Sequence, residues 1–212
     1  RAHVKARASE AFNKTYGIVH PAEQYESDRG VRKAPMHDSQ QALGAKFYET
    51  VGWERPWWYE SNADLVEKYG DAVMPREAEW ESRWWSPIIN AEHLRMREAA
   101  GIVDLSAFAI IDVAGPGALD VVQKACVAQC DVAIGKVIYT PVLNANGGFV
   151  SDLTVMRLAH DRFRVVTGGA HGMVDRKWFA DIAHELGGAS VTDLTSAYTT
   201  IGIWGPKARE IV

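Results

Sequence analysis

Lys136-Val-Ile-Tyr-Thr-Pro-Val-Leu-Asn-Ala-Asn-Gly-Gly-Phe-Val-Ser-Asp-Leu-Thr-Val-Met-Arg157 is the stretch that decides the fold. Two runs rich in β-branched and aromatic residues flank Asn146-Gly147, the dipeptide that best specifies a tight hairpin. With Asn146-Gly147 at the centre of a type I′ turn, Ala145 pairs with Gly148, Leu143 with Val150, Pro141 with Asp152 and Tyr139 with Thr154. Alternation then places Val137, Tyr139, Pro141 and Leu143 on one face with Val150, Asp152, Thr154 and Met156. Ile138, Thr140, Val142, Leu153 and Val155 take the other face. A slip of one residue would send Asp152 to the face away from Tyr139. Asp152 is a lone carboxylate in an otherwise apolar strand, which is costly unless the acid is paired or its raised pKa is used. On the expected face it is accompanied by the Tyr139 ring, the Thr154 hydroxyl and apolar walls that include Leu143. That set suits a planar, amine-bearing ligand, with Asp152 as the candidate catalytic acid–base group. The alternative is structural: an Asp satisfied by backbone N–H groups, or by Arg157 or Arg164. Spacing alone leaves both open.

Outward from the hairpin, Ala107 to Val113 alternates like a strand. Gly115-Pro116 turns into a helix from Gly117 to about Ala128, with Cys126 and Cys130 four apart on it. Arg162 to Thr167 reads as a further strand and His171 to Leu186 as a helix stopped by Gly187-Gly188. Two more strands are expected near Ser190–Leu194 and Tyr198–Trp204. A short echo links Ile111-Asp-Val-Ala-Gly-Pro-Gly-Ala-Leu-Asp-Val-Val122 to Ile201-Gly-Ile-Trp-Gly-Pro-Lys-Ala-Arg-Glu-Ile-Val212: a strand, a Gly-Pro corner, a helix. Two such units around a central hairpin predict an α+β fold, a ferredoxin-like antiparallel sheet with helices on one face. Upstream, Asn90 to Ala100 reads as a helix with Asn90 as N-cap and Gly101 as stop. Residues 1 to about 60 show no clear strand signal and read as an irregular, helical connector, with a short helix from Ser39 to Val51. Six tryptophans fall between Trp53 and Trp85, and are expected to pack over a second module.

The bulk numbers narrow the function. A net charge of −4 without a Lys/Arg block argues against a nucleic-acid surface. No apolar run is long enough for a membrane span. A Cys126–Cys130 bridge would close almost no loop, so the cysteines read as reduced core residues, the chain as cytoplasmic, and no metal site is expected. Gly115-Pro-Gly117 lacks the third glycine of a dinucleotide loop, because Asp120 stands there. The chain opens on Arg1 rather than Met and ends in a helix-like start, so it is expected to be a piece of a longer polypeptide.

Gly147-Gly-Phe-Val-Ser-Asp-Leu-Thr-Val-Met-Arg157 resembles the folate-binding hairpin of the aminomethyltransferase (glycine-cleavage T-protein) family. Ala107–Pro116 and Ile201–Val212 resemble flanking segments of its first subdomain. Gly44-Ala-Lys-Phe-Tyr-Glu-Thr-Val-Gly-Trp-Glu-Arg-Pro-Trp-Trp58 is similar to the junction in dimethylglycine and sarcosine dehydrogenases or oxidases. In those enzymes an FAD-dependent amine-oxidising module is fused to a T-protein-like module.

The resemblance implies residues 1–60 as the end of the FAD module and residues 61–212 as the truncated start of a folate domain. It implies oxidation of a small N-methylated amine with FAD in the missing N-terminal module. Tetrahydrofolate bound in the T-like part then captures the one-carbon unit as 5,10-methylenetetrahydrofolate. Asp152 matches the acid beside the reactive folate nitrogens, and Tyr139 an aromatic of the same pocket, with Leu143 and Thr154 as expected cofactor contacts.

The Asn that T-proteins usually carry after the third strand is absent from Val166-Thr-Gly-Gly-Ala-His-Gly-Met173, and no role is carried onto His171. The expected partners are folate, the amine and the rest of the parent polypeptide, with a homo-oligomer left open. The 212 residues alone are expected to hold half a pocket and to be inactive. Two other readings remain: a flavin-free folate-dependent aminomethyltransferase or demethylase, and a non-catalytic interaction module.

Overall fold

The computed structural model describes residues 1–212, the side chain of Trp80 excepted. In chain order the elements are α1 (Ala2–Lys14), β1 (Arg32–Lys33), α2 (His37–Ala42), β2 (Ala45–Thr50), β3 (Trp53–Tyr59), α3 (Asp64–Tyr69) and α4 (Pro87–Glu98). They continue with β4 (Gly101–Asp104), β5 (Ala109–Ala114), α5 (Ala118–Ala125), β6 (Val137–Leu143), β7 (Phe149–Ala159) and β8 (Arg162–Thr167). The chain closes with α6 (Gly172–Leu186), β9 (Ser190–Asp193), β10 (Ile201–Trp204) and α7 (Ala208–Ile211). Two compact units result: Leu105–Thr200, and Arg1–Asp104 together with Ile201–Val212.

The unit Leu105–Thr200 is a five-stranded sheet of order β6-β7-β8-β5-β9, antiparallel throughout. Without the edge strand β6, the β5-α5-β7-β8-α6-β9 path has the ferredoxin-like arrangement. Ile111, Val113, Val142, Leu153, Val155, Phe163 and Val165 all point to the helix-covered face, where they pack with Val121, Val122 and Phe179. A buried acid ties helix to sheet. Asp175 on α6 is 2% exposed, and its Oδ2 accepts from Ser151 Oγ at 3.0 Å and Thr167 Oγ1 at 2.5 Å. Satisfying that carboxylate inside the core fixes where α6 lies along β7 and β8.

The echo reports a shared corner rather than a second strand of this sheet. Gly115 and Gly205 have φ of +128° and +114°, and Gly117 and Lys207 each donate N–H to a loop carbonyl at 2.9 Å. β10, however, pairs antiparallel with β4 in the other unit. α5 is also shorter than its periodicity predicts. It ends at Ala125, because Val127 N–H donates to Pro141 O at 3.2 Å and Ala128 N–H to Thr140 Oγ1 at 3.0 Å. Bonds to β6 thus replace further helical turns. Cys126 and Cys130 lie at and beyond the helix end, buried and unbridged.

The first unit corrects the expectation of a connector without strands. β1, β3 and β2 form a three-stranded sheet. The β2–β3 hairpin turns on Val51-Gly52, with φ of +54° and +82°, which is the type I′ geometry. Valine is a poor residue for positive φ, so no local pattern announces a turn there. Glu49 helps hold the turn by accepting the Gly52 N–H at 2.5 Å. Trp57 and Trp58 are strand residues of β3, and Trp58 is buried; Trp80's side chain lies outside the described residues. Glu54, also buried on β3, accepts from Arg29 Nε at 2.8 Å and Gly30 N–H at 2.7 Å, which anchors the loop before β1. α4 begins earlier than expected. Ser86 caps it, accepting the Ile88 N–H at 3.3 Å, and Pro87 opens the first turn. Asn90 lies inside the helix and accepts the Met74 N–H at 2.9 Å instead of capping.

Glycine substitutions test the corner against the loop tip. The Cβ added by Gly115→Ala would lie 2.4 Å from Gly188 O at φ +128°, whereas nothing lies within 4 Å of the Cβ added by Gly147→Ala at φ +76°. Gly115→Ala is expected to cost about 3 kcal/mol, from clash and strain together, and Gly147→Ala about 1 kcal/mol from strain alone. Urea denaturation followed by circular dichroism separates the two. Equal costs would contradict this reading of the corner.

Candidate functional site

The hairpin carries the candidate site, and its register is reached by an unexpected route. Gly147 alone in the loop has positive φ. Gly147 N–H donates to Asn144 O at 3.0 Å, and Asn144 N–H to Gly148 O at 2.9 Å. This is a three-residue loop, a type I turn followed by a left-handed glycine, rather than the two-residue turn at Asn146-Gly147. Asn144 dictates it: its Oδ1 accepts N–H groups from Asn146 at 3.0 Å and Gly148 at 2.9 Å. The longer loop pairs Leu143 with Phe149 instead of Val150. A bulge between Val142 and Leu143 then restores the expected pairs, Val142 with Ser151, Pro141 with Asp152 and Tyr139 with Thr154. Loop and bulge cancel.

Tyr139 and Asp152 therefore emerge on the sheet face opposite the helices of this unit, where Tyr139 is 70% exposed and Asp152 is exposed too. The Tyr139 hydroxyl donates to Asp152 Oδ2 at 2.5 Å. The carboxylate accepts that hydrogen bond and repels a phenolate, so the Tyr139 hydroxyl loses its proton only above the usual tyrosine range. Among the described residues no donor reaches Asp152 Oδ1. The buried-acid premise of the sequence reading does not hold in this unit: Asp152 is exposed. Nor is it held by arginine. Arg157 Nη1 donates to Asp131 Oδ1 at 2.5 Å and to Val132 O at 2.6 Å, and Arg164 is occupied by Asp112. Thr154 is half-buried directly opposite Tyr139, whereas Leu143 sits past the bulge beside Phe149, four residues along β6 from the tyrosine.

The same face holds a cluster that sequence reasoning missed. Asp112 of β5 accepts from Arg162 Nε at 2.9 Å and Arg164 Nε at 2.8 Å, and Arg164 also donates to Tyr198 Oη at 3.0 Å. Burial raises the Asp112 carboxyl, but the two guanidiniums outweigh it and hold the acid below the usual carboxylate range. The alternation of Ile111-Asp112-Val113 carried the signal, since it sets Asp112 opposite the core face. His171 precedes the first turn of α6 and its carbonyl accepts the Asp175 N–H at 2.9 Å.

Comparison with known proteins identifies the lineage. Residues 36–212 match the family described as the GCVT N-terminal domain, and residues 1–34 match the FAD dependent oxidoreductase central domain. The chain belongs to the GCVT N-terminal domain family. The 4-methylaminobutanoate oxidase (formaldehyde-forming) of Paenarthrobacter nicotinovorans is 37% identical over 212 residues, covering 100% of this chain and 25% of that protein. The mitochondrial sarcosine dehydrogenase of Homo sapiens is 31% identical over 241 residues, covering 99% of this chain and 26% of that protein. The chain thus spans about a quarter of the length of these relatives. The glycine cleavage system aminomethyltransferase T of Bartonella henselae shares the fold, with a TM-score of 0.67 at 24% identity over 86% of this chain and 43% of that one. No helix among the described residues is long and apolar enough to cross a membrane.

The Tyr139–Asp152 hydrogen bond has a spectroscopic signature. Asp152→Asn removes the carboxylate charge, and the Tyr139 phenol is expected to titrate at lower pH than in the parent chain. NMR of ring-labelled tyrosine, assigned with Tyr139→Phe, reads this directly. An unchanged Tyr139 titration would show that the two groups do not meet.

Proposed function

We propose that this chain is part of an FAD-dependent N-methylamine dehydrogenase or oxidase of the dimethylglycine or sarcosine type. Its T-protein-like part, taken as residues 61–212 after a junction over residues 1–60, binds tetrahydrofolate and captures the oxidised methyl carbon as 5,10-methylenetetrahydrofolate. The observation that carries the reading is the Tyr139–Asp152 pair, displayed on the uncovered sheet face with one carboxylate oxygen open. The match of residues 1–34 to an FAD dependent oxidoreductase domain supports the fused enzyme over a flavin-free aminomethyltransferase.

The residues present fit the folate. A flat aromatic ring is available for stacking, an acid for a ring or amine N–H, and Thr154 lies opposite the ring. Tetrahydrofolate, when bound, supplies the nucleophilic amine nitrogen. Tyr139 and Asp152 would hold it, with Leu143 and Thr154 as neighbouring walls. The chain's own contribution is positioning and proton acceptance. Tyr139 occupies Asp152 Oδ2 through its hydroxyl and fixes the carboxylate's orientation. Oδ1 is then the atom that takes a proton released by an attacking amine.

The test uses the full-length parent enzyme with an N-methyl amino acid and tetrahydrofolate. Asp152→Asn is expected to leave amine oxidation within about twofold, because oxidation belongs to the flavin module. The same change is expected to cut methylenetetrahydrofolate formation by on the order of 10²-fold, with formaldehyde appearing instead. Unchanged folate-dependent capture in Asp152→Asn would favour the non-catalytic module.

A further inference from the structure

The unit Arg1–Asp104 with Ile201–Val212 contains a second, chemically distinct pocket. It is a solvent-connected cavity of about 230 Å³ between β3, α4 and β4. Trp57, Tyr59, Glu92, Arg95 and Asp104 are the lining groups that carry chemistry, and Pro56, Leu65 and Met96 add apolar wall.

The charges are arranged by depth. Asp104 is 7% exposed and its Oδ2 accepts from Gln40 Nε2 at 2.8 Å, so its carboxylate is fixed at the buried end. Glu92 is half-buried. Its Oε1 accepts from both the Tyr59 N–H at 3.0 Å and Asn62 Nδ2 at 2.8 Å, and among the described residues no donor reaches Oε2. Arg95 is exposed on the same face of α4, three residues on, and no carboxylate among the described residues pairs with it. Burial raises the Glu92 carboxyl above its usual range. Burial, Asp104 and Glu92 together push the Tyr59 phenol up to about 12. Burial is the leading cause of both shifts, so the pocket interior is partly withdrawn from water.

We propose that this pocket binds a small amino acid as its zwitterion. The ammonium is directed inward to Glu92 Oε2, against the Trp57 ring, and the carboxylate outward to Arg95. An aromatic wall beside carboxylates attracts an ammonium through both the ring quadrupole and the charge, and methylation of the nitrogen adds contact with the ring. A guanidinium at the rim selects a carboxylate. The pairing of an unused acid oxygen with an unpaired arginine distinguishes this pocket from a simple acidic cluster, which would take a metal ion or amine alike. The proposal does not rest on the folate reading, since every group in it belongs to the other unit.

Calorimetric titration of the whole 212-residue chain tests it, with glycine, N-methylglycine and 4-(methylamino)butanoate as probes and methylamine and propionate as single-charge controls. At least one zwitterion is expected to saturate, and each control to bind at least tenfold more weakly. Glu92→Gln keeps an oxygen for Tyr59 and Asn62, and Arg95→Gln alters an exposed side chain. Each is expected to weaken the zwitterion at least tenfold with circular dichroism unchanged. Asp152→Asn is expected to leave this binding untouched, which separates the present proposal from the folate reading. Absence of saturable binding by all three zwitterions overturns the proposal. So does binding that survives Arg95→Gln, or methylamine binding as tightly as the amino acids.

Discussion

The register of one hairpin is the constraint on which the rest depends. A strand has two faces, and only one of them can meet the helices of the unit Leu105–Thr200. Ser151, Leu153 and Val155 take that face, and the Ser151 hydroxyl reaches the buried Asp175. Asp152 is thereby excluded from the core and sent outward beside Tyr139. The core and the candidate site are consequences of the same alternation, so a slip would destroy both at once. Asn144 sets a loop whose register is displaced by one residue, and the bulge after Val142 removes the displacement. Bulges commonly re-aim side chains next to functional sites, and here the bulge restores the face that carries the acid.

The two acids that matter for function are held in opposite ways. Asp152 stands in the open, oriented by a tyrosine hydroxyl, with its chemistry set by whatever approaches the sheet face. Glu92 is partly withdrawn from water and satisfied on one oxygen only, so its environment is set by the protein. An exposed acid suits a proton acceptor completed by a ligand. A half-buried acid beside a rim arginine suits recognition of a charged small molecule. Asp112 shows the structural alternative, in which arginines engage both carboxylate oxygens, and Asp175 another, in which two hydroxyls hold a buried carboxylate against the sheet.

Much of the Leu105–Thr200 unit was legible because its cues were local. Alternation marked β6, β7 and β8, Gly187-Gly188 ended α6, and Gly115-Pro116 formed the corner that the sequence echo implied. The pairing of Tyr139 with Thr154 and Pro141 with Asp152 was also legible, although its cause was not. Asn146-Gly147 advertises a two-residue turn, and Asn144's side chain overrides it. The exposure of Asp152 is not legible in the sequence, because composition along a strand reports which residues share a face, not what covers that face. The first unit was much less readable. Its hairpin turns at Val51-Gly52, where a β-branched residue in the left-handed region carries no signal. Its β4–β10 pair joins segments distant in sequence. The pocket at Glu92 needs three elements to converge, which no local pattern encodes. The GCVT lineage, by contrast, was carried by short motifs spread over nearly the whole chain, and the family match over residues 36–212 agrees with them.

The most direct test of the central claim is a nuclear Overhauser measurement on the 212-residue chain with Tyr139 ring protons assigned. The account predicts cross-peaks from that ring to the Thr154 methyl and the Asp152 β-protons, on the face away from Phe179. Cross-peaks to the Leu153 or Val155 methyls instead, as a shift of one residue would produce, would contradict it.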